Sequence, residues 1–218
     1  MFILGYIIQS RLINYIVRAP LFMTLILTYG LNIVIVNLAV LLWTGNIRST
    51  PAVPYSGQSL ALFNANIPVI RLLAFCIAIL VTIGLYLLMK KTRFGRGINA
   101  ARMHLDAASL VGVKISRIYS LTFALGSLLA GVSGSLLALV GPITPAIGNV
   151  YSAKAFAICI LGGSGSMLGP LAGGLLMGLF ETAGVSIFGA GYQEVISFFV
   201  LLLVLVFRPH GIFGKEYY

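Results

Sequence analysis

LFMTLILTYGLNIVIVNLAVLLW, residues 21–43, holds not one charged side chain. A helix needs roughly 20 apolar residues to cross the ~30 Å hydrocarbon layer of a bilayer. This stretch supplies them, and Trp43 at its end is placed to anchor at the interface. The rest of the chain is of the same kind. It has 218 residues, 60% of them hydrophobic and only 8% charged, with a mean hydropathy of +1.07. Water-soluble domains carry about 25% charged residues. Lipid must therefore be the main solvent, and the expected fold class is all-α, a polytopic integral membrane helix bundle.

Two further full spans follow. IPVIRLLAFCIAILVTIGLYLLM (67–89) is the second, with Pro68 acceptable in its first turn. IYSLTFALGSLLAGVSGSLLALV (118–140) is the third. Beyond it the pattern is broken into AFAICILGG (155–163), MLGPLAGGLLMGLFETAGVSIF (167–188) and EVISFFVLLLVLVF (194–207). The first and last of these are short for spans. One of them fits a re-entrant or broken helix, which is tolerated only inside protein or beside a water-filled cavity. At the amino end MFILGYIIQ (1–9) is apolar but reaches only about half the membrane at 1.5 Å per residue. It lacks the basic region and cleavage site of a signal peptide. It reads as the tail of a span whose beginning is missing, through truncation or a late start codon.

Charge fixes the orientation. Segment 90–117, KKTRFGRGINAARMHLDAASLVGVKISR, carries seven of the 14 Lys and Arg, so it is expected in the cytoplasm. Arg11 and Arg18 then also lie inside. The 44–66 and 141–153 loops face outside, and Arg208 and Lys215 fall inside if GGSGS (162–166) is a cytoplasmic turn. The net charge of +10 sits in loops beside spans, which orientation and anionic lipid explain better than nucleic acid. Cys76 and Cys159 lie in apolar segments without partner spacing and are expected as small core residues. His104 and His210 are solitary, so no metal cluster or cofactor set is proposed.

Small residues recur at four-residue spacing in 118–140. Gly126, Ala130, Gly134 and Ala138 form one ridge; Ser127, Gly131 and Ser135 form another beside it. Such ridges let helices approach backbone to backbone. Gly169 with Gly173, and Gly174 with Gly178, repeat the device. GGSGS lacks the GK[ST] ending of a phosphate loop, so any ATP must be held by another subunit. Within spans, Glu181 with Thr182 beside it is the leading ionisable candidate for a translocation path, against a plain hydrogen bond to a neighbouring helix. Arg71 can snorkel, and Lys154 and Glu194 are expected at interfacial segment ends. With four acidic residues in all, little is left for a proton relay.

From Ile98 to Gly112 the basic segment reads as a helix, with Ile98, Ala101, Leu105 and Ala108 at three- to four-residue spacing. Arg102 and Asp106 fall at i,i+4 on its polar face. The pairs Ala100–Ala101 and Ala107–Ala108 make a smooth surface, and Gly95, Gly97 and Gly112 permit turns. Periodicity leaves open whether this helix lies on the inner leaflet or receives another protein.

The runs TRFGRGINAARMHLDAASLVGVKISRIYSLTFALGSLLAGVSG, KAFAICILGGSGSMLGPLAGGLLMGLFE and FRPHGIFG resemble permease subunits of branched-chain amino acid ABC importers, the LivH type. The resemblance runs from about Arg11 to Gly214 in the family's order. It implies one permease domain over 1–218 in a bacterial or archaeal inner (plasma) membrane. It also implies ABC ATPase subunits, a second permease subunit of the LivM type and an extracytoplasmic substrate-binding protein as partners. The chain itself would be no enzyme. By the same resemblance, Gly95, Arg96, Ala100, Ala101, Asp106, Ala107, Ala108 and Gly112 belong to a cytoplasmic coupling helix that meets the ATPase. The cargo would be a branched-chain amino acid, or a related small amino acid or amide. An ion-coupled secondary transporter or channel is the alternative.

Overall fold

The computed structural model describes residues 1–16, 21–49, 59–62, 65–163 and 169–207. They fall into two compact units, Met1–Pro145 and Ala146–Tyr218. The first unit contains α1 (Phe2–Arg11), α2 (Leu21–Trp43), α3 (Val69–Lys91), α4 (Arg93–Met103), α5 (Leu105–Leu110) and α6 (Ile115–Val140). The second contains α7 (Ile147–Gly162), α8 (Gly169–Phe188) and α9 (Gln193–Phe207). Four helices, within α2, α3, α6 and α8, are long and apolar enough to cross a membrane; α7 and α9 are apolar but shorter. The chain is an all-α, multi-pass membrane protein.

The loop after α2 adds what alternation in the sequence did not signal. Strands β1 (Ser59–Leu62) and β2 (Ala65–Pro68) pair antiparallel, with Ser59 opposite Pro68. Pro68 is thereby drawn out of the span, and α3 begins one residue later with Pro68 as its N-cap.

In the first unit α1 runs antiparallel along α6. Gly5 lies against Ser127 and Ala124, so that a Cβ there would stand 3.2 Å from the Ala124 Cα. Ala124 is fully buried. At the foot of the pair a polar set closes the contact. Gln9 Nε2 donates to Asn14 Oδ1 at 3.3 Å, and Asn14 Nδ2 donates to Ser116 Oγ at 2.9 Å and Ser120 Oγ at 3.1 Å. The ridge of Ser127 and Gly131 is thus occupied by α1, as small-residue spacing predicts. Its neighbour is not: a Cβ on Gly126 or Gly134 would meet nothing within 4 Å.

Beyond the far ends of α2 and α6 the two loops are tied together. Arg48 N–H donates to Ile143 O at 3.0 Å, and Ile143 N–H returns to Arg48 O at 2.8 Å. These loops are the two assigned to the outside, so the bond places them on one face. Lys90 and Lys91 stand at the opposite end of α3, where cations also complement the helix dipole.

The second unit packs around Ala157, Leu161, Met177 and Val200. Gly173 permits α7 and α8 to close to backbone contact; a Cβ there would lie 2.7 Å from Ile158 O. Gly184 plays the same part toward α9, where Ile196 fills the space. The 162–166 turn lies for the most part outside the described residues, as do Arg208 and Lys215.

One expectation is overturned. Cys76 and Cys159 are exposed on their helices rather than part of a core. An apolar position in a membrane helix has two ways to avoid water, and lipid contact is one of them.

Candidate functional site

The basic segment folds as a compact cap between the ends of α3 and α6. Thr92, in extended conformation, breaks α3 from α4. Its Oγ1 donates to Leu88 O at 2.6 Å and accepts from the Gly95 N–H at 3.2 Å, which is N-cap geometry. Gly95 is buried so tightly against the Met89 backbone that any Cβ would collide with it.

The continuous helix expected over 98–112 is interrupted at His104 (φ −152°, ψ 112°). Arg102 and Asp106 therefore stand on different helices. The reason is local: α4 closes with His104 N–H on Ala100 O, and a new helix starts with Ala108 N–H on His104 O. Asp106 lies in the first turn of α5, where a carboxylate favours the helix start. Gly112, at φ +85°, ends α5: its N–H bonds Ser109 O at 3.1 Å, and Val113 N–H bonds Ala108 O at 3.1 Å. That is the paired closure for which a left-handed glycine is suited.

The expected coupling residues separate into two faces. Gly95, Ala101 and Ala108 are buried, and Ala100 is half-buried. Arg96, Asp106, Ala107 and Gly112 are exposed. The structure adds exposed apolar side chains on α4, on α5 and just after it: Met103, Leu110 and Val111 are 79%, 88% and 80% exposed, and Leu105 is 47% exposed. All four side chains are apolar and exposed.

In the second unit Glu181 is fully engaged. Lys154 Nζ lies 3.0 Å from its Oε1, Gln193 Nε2 donates to Oε2 at 2.9 Å, and Ser197 Oγ donates to Oε1. The carboxylate of α8 thus joins α7 and α9. Lys154 is not at a segment end, as expected, but two turns inside α7, because that helix begins at Ile147 rather than near residue 155. Glu194 does sit at the exposed start of α9, and Arg71 is exposed near the start of α3. Thr182 does not join the cluster. Its hydroxyl donates to Gly178 O at 2.7 Å, the usual back-bond of a helical threonine. Gln193 and Ser197 carried no signal in the sequence, and Lys154, expected at an interfacial segment end, is paired with Glu181 only by the fold.

The structure defines a multi-pass helical membrane protein with a folded basic cap between two spans. The family described as branched-chain amino acid transport system, permease component, matches residues 1–205, and the chain belongs to it. It is 41% identical over 146 residues to the high-affinity branched-chain amino acid transport system permease protein BraD of Pseudomonas aeruginosa, covering 66% of this chain and 48% of BraD. To the LivH permease protein of Escherichia coli K12 it is 36% identical over 154 residues, 70% of this chain and 50% of LivH. A probable LivH of Methanocaldococcus jannaschii is 34% identical over 148 residues, 65% of this chain and 47% of that protein. The chain spans about half the length of these curated relatives. No solved structure matches it.

Proposed function

We propose that the chain works as one permease domain of an ATP-driven importer in the inner membrane, moving branched-chain amino acids or related small amino acids or amides. ATPase subunits, a second permease subunit and an extracytoplasmic binding protein would complete the machine. The observation that carries this reading is the cap of α4 and α5. It is held to the spans by its buried face, at Gly95, Ala101 and Ala108, while Ala107, Leu110 and Val111 are turned outward. A force applied to that outer face reaches α3 and α6 directly, which is what a coupling element must do. The matched family and the names of these relatives support the cargo class.

Glu181 is the weaker part of the reading as a path residue. Three donors already satisfy it, so it serves the path by holding α7, α8 and α9 in register. For the same reason the ion-coupled alternative loses ground, since a carboxylate so engaged is a poor carrier of protons. The test is uptake in proteoliposomes holding the chain with its ATPase and second permease subunit. ATP and a loaded binding protein should drive accumulation of leucine, isoleucine or valine, and an imposed ion gradient without ATP should not. Accumulation driven by the gradient alone would reject the proposal.

A further inference from the structure

A groove of about 570 Å³ runs beside α1 on the face of α6 that no helix of the unit covers. That volume lies within the ~300–1,000 Å³ of small-ligand clefts. Gly126 and Ala130 keep its floor low, Phe123 and Tyr119 provide aromatic walls, and Thr122, Ser127 and Gln9 provide polar groups. Gln9 is 94% removed from solvent contact, at 6% exposure. Its Nε2 is spent on Asn14, which leaves its carbonyl oxygen for the groove. Thr122 donates to Ile118 O at 2.8 Å and keeps its lone pairs. The hydroxyls of Tyr119 and Ser127 make no hydrogen bond among the described residues.

These groups are poorly placed for lipid, which cannot satisfy them. The exposed face of α3 shows the contrast, with Leu72, Leu73, Phe75, Leu80 and Ile83 turned outward. We infer that the α1–α6 groove is a wall of the solute path, shaped for a free zwitterionic amino acid with an aliphatic side chain. Tyr119 Oη is a donor for the α-carboxylate, while Ser127 Oγ, about 12 Å farther along α6 at 1.5 Å per residue, meets a solute farther up the groove. The Gln9 carbonyl and Thr122 Oγ1 are acceptors for the α-ammonium, and Phe123 with Gly126 leaves room for the aliphatic part. No charged residue lines the groove. A fixed ion in a low dielectric would hold a zwitterion too strongly to release it, whereas transport needs a site weak enough to leave. Tyr119 and Ala130 are four and fifteen residues into α6, so the groove extends from about 6 to about 22 Å above the cytoplasmic end of that helix at 1.5 Å per residue.

This inference rests on the importer reading, and the experiment separates the two. Thr122→Cys, Ala130→Cys and a control, Leu128→Cys on the opposite side of α6, are placed singly in a chain lacking Cys76 and Cys159. Each is assembled with its partners in proteoliposomes and treated with a water-soluble, charged methanethiosulfonate, with and without saturating leucine. Because the thiolate reacts and needs water, the two groove cysteines should react roughly tenfold faster than the control, and leucine should slow them severalfold. Rates equal to the control mean that lipid or a partner helix covers the groove, and fast labelling unaffected by leucine means water without substrate. Either result overturns the assignment. ATP-driven leucine uptake by the parent protein is measured in the same vesicles. If it is present while the groove is silent, only this inference falls; if it is absent, both do.

Discussion

At Glu181 a single carboxylate joins three helices, and its partners decide what a substitution does. The side chains of Lys154 and Glu181 are 15% and 16% exposed, so neither end is well hydrated. Lys154→Met would leave a poorly solvated anion without its counter-charge, which is costlier than losing the pair outright. The expected loss is about 2 kcal/mol, seen as a lower melting temperature in detergent, and the double variant Lys154→Met with Glu181→Met should recover part of it. A single variant that melts like the parent would show that the cluster does not hold the helices. Glycines at the α1–α6 contact differ for an equally local reason. A Cβ on Gly131 meets only the Met1 side chain, at 2.6 Å, which can swing away. One on Gly5 meets Ser127 and the Ala124 backbone, which cannot. Gly5→Leu should therefore destabilise by about 1–3 kcal/mol, as overpacking does, while Gly131→Leu costs less; melting curves of the two variants check the order. The sequence marks Gly131 as a packing residue but not its tolerance, because tolerance depends on what faces it from α1.

Elements were legible where hydropathy sets them and obscure where local capping does. The spans of α2, α3 and α6 follow from apolar length alone, and the structure shifts their ends by three residues or fewer. The break at His104 is not visible in apolar spacing, since Ala101 and Ala108, seven apart, are both buried and stay in phase across it. What ends α4 is backbone geometry at one residue, and Asp106 in the first turn of α5 favours the new start. β1 and β2 are similarly silent, being four residues each. For the coupling segment the division into faces sharpens the expected phenotypes. Ala107 is exposed and Ala108 is 3% exposed, so the two neighbours should fail differently. Ala107→Glu is expected to insert and melt normally yet lose co-purification of the ATPase, because an unpaired charge pressed into an interface costs several kcal/mol. Ala108→Glu should instead destabilise the cap itself and lower the yield of folded protein. Normal ATPase recovery with Ala107→Glu would move the contact elsewhere on the segment.

On the scale of the whole chain, orientation links charge to mechanism. Lys and Arg bias assigns 90–117 to the cytoplasm as an expectation, and the paired backbone bonds between Arg48 and Ile143 show that the 44–49 and 141–144 loops share one face. α3 ends at Lys91, α4 and α5 turn the chain, and α6 begins at Ile115, so the basic segment joins adjacent ends of two spans. Were the basic cap outside, seven cations would have had to cross the bilayer and the bridged loops would lie in the cytoplasm. Impermeant maleimide separates the cases in a chain freed of both native cysteines, which are exposed and would otherwise add background. Ser109→Cys, exposed on α5, should resist labelling in intact cells and react once the membrane is opened. Gly45→Cys, in the bridged loop with only Val40 near at 3.9 Å, should react in intact cells. Labelling of Ser109→Cys from outside, with Gly45→Cys protected, would invert the protein. It would also remove the cap from any ATPase, because the nucleotide lies in the cytoplasm, and with it the mechanical route through α3 and α6 on which the importer proposal depends.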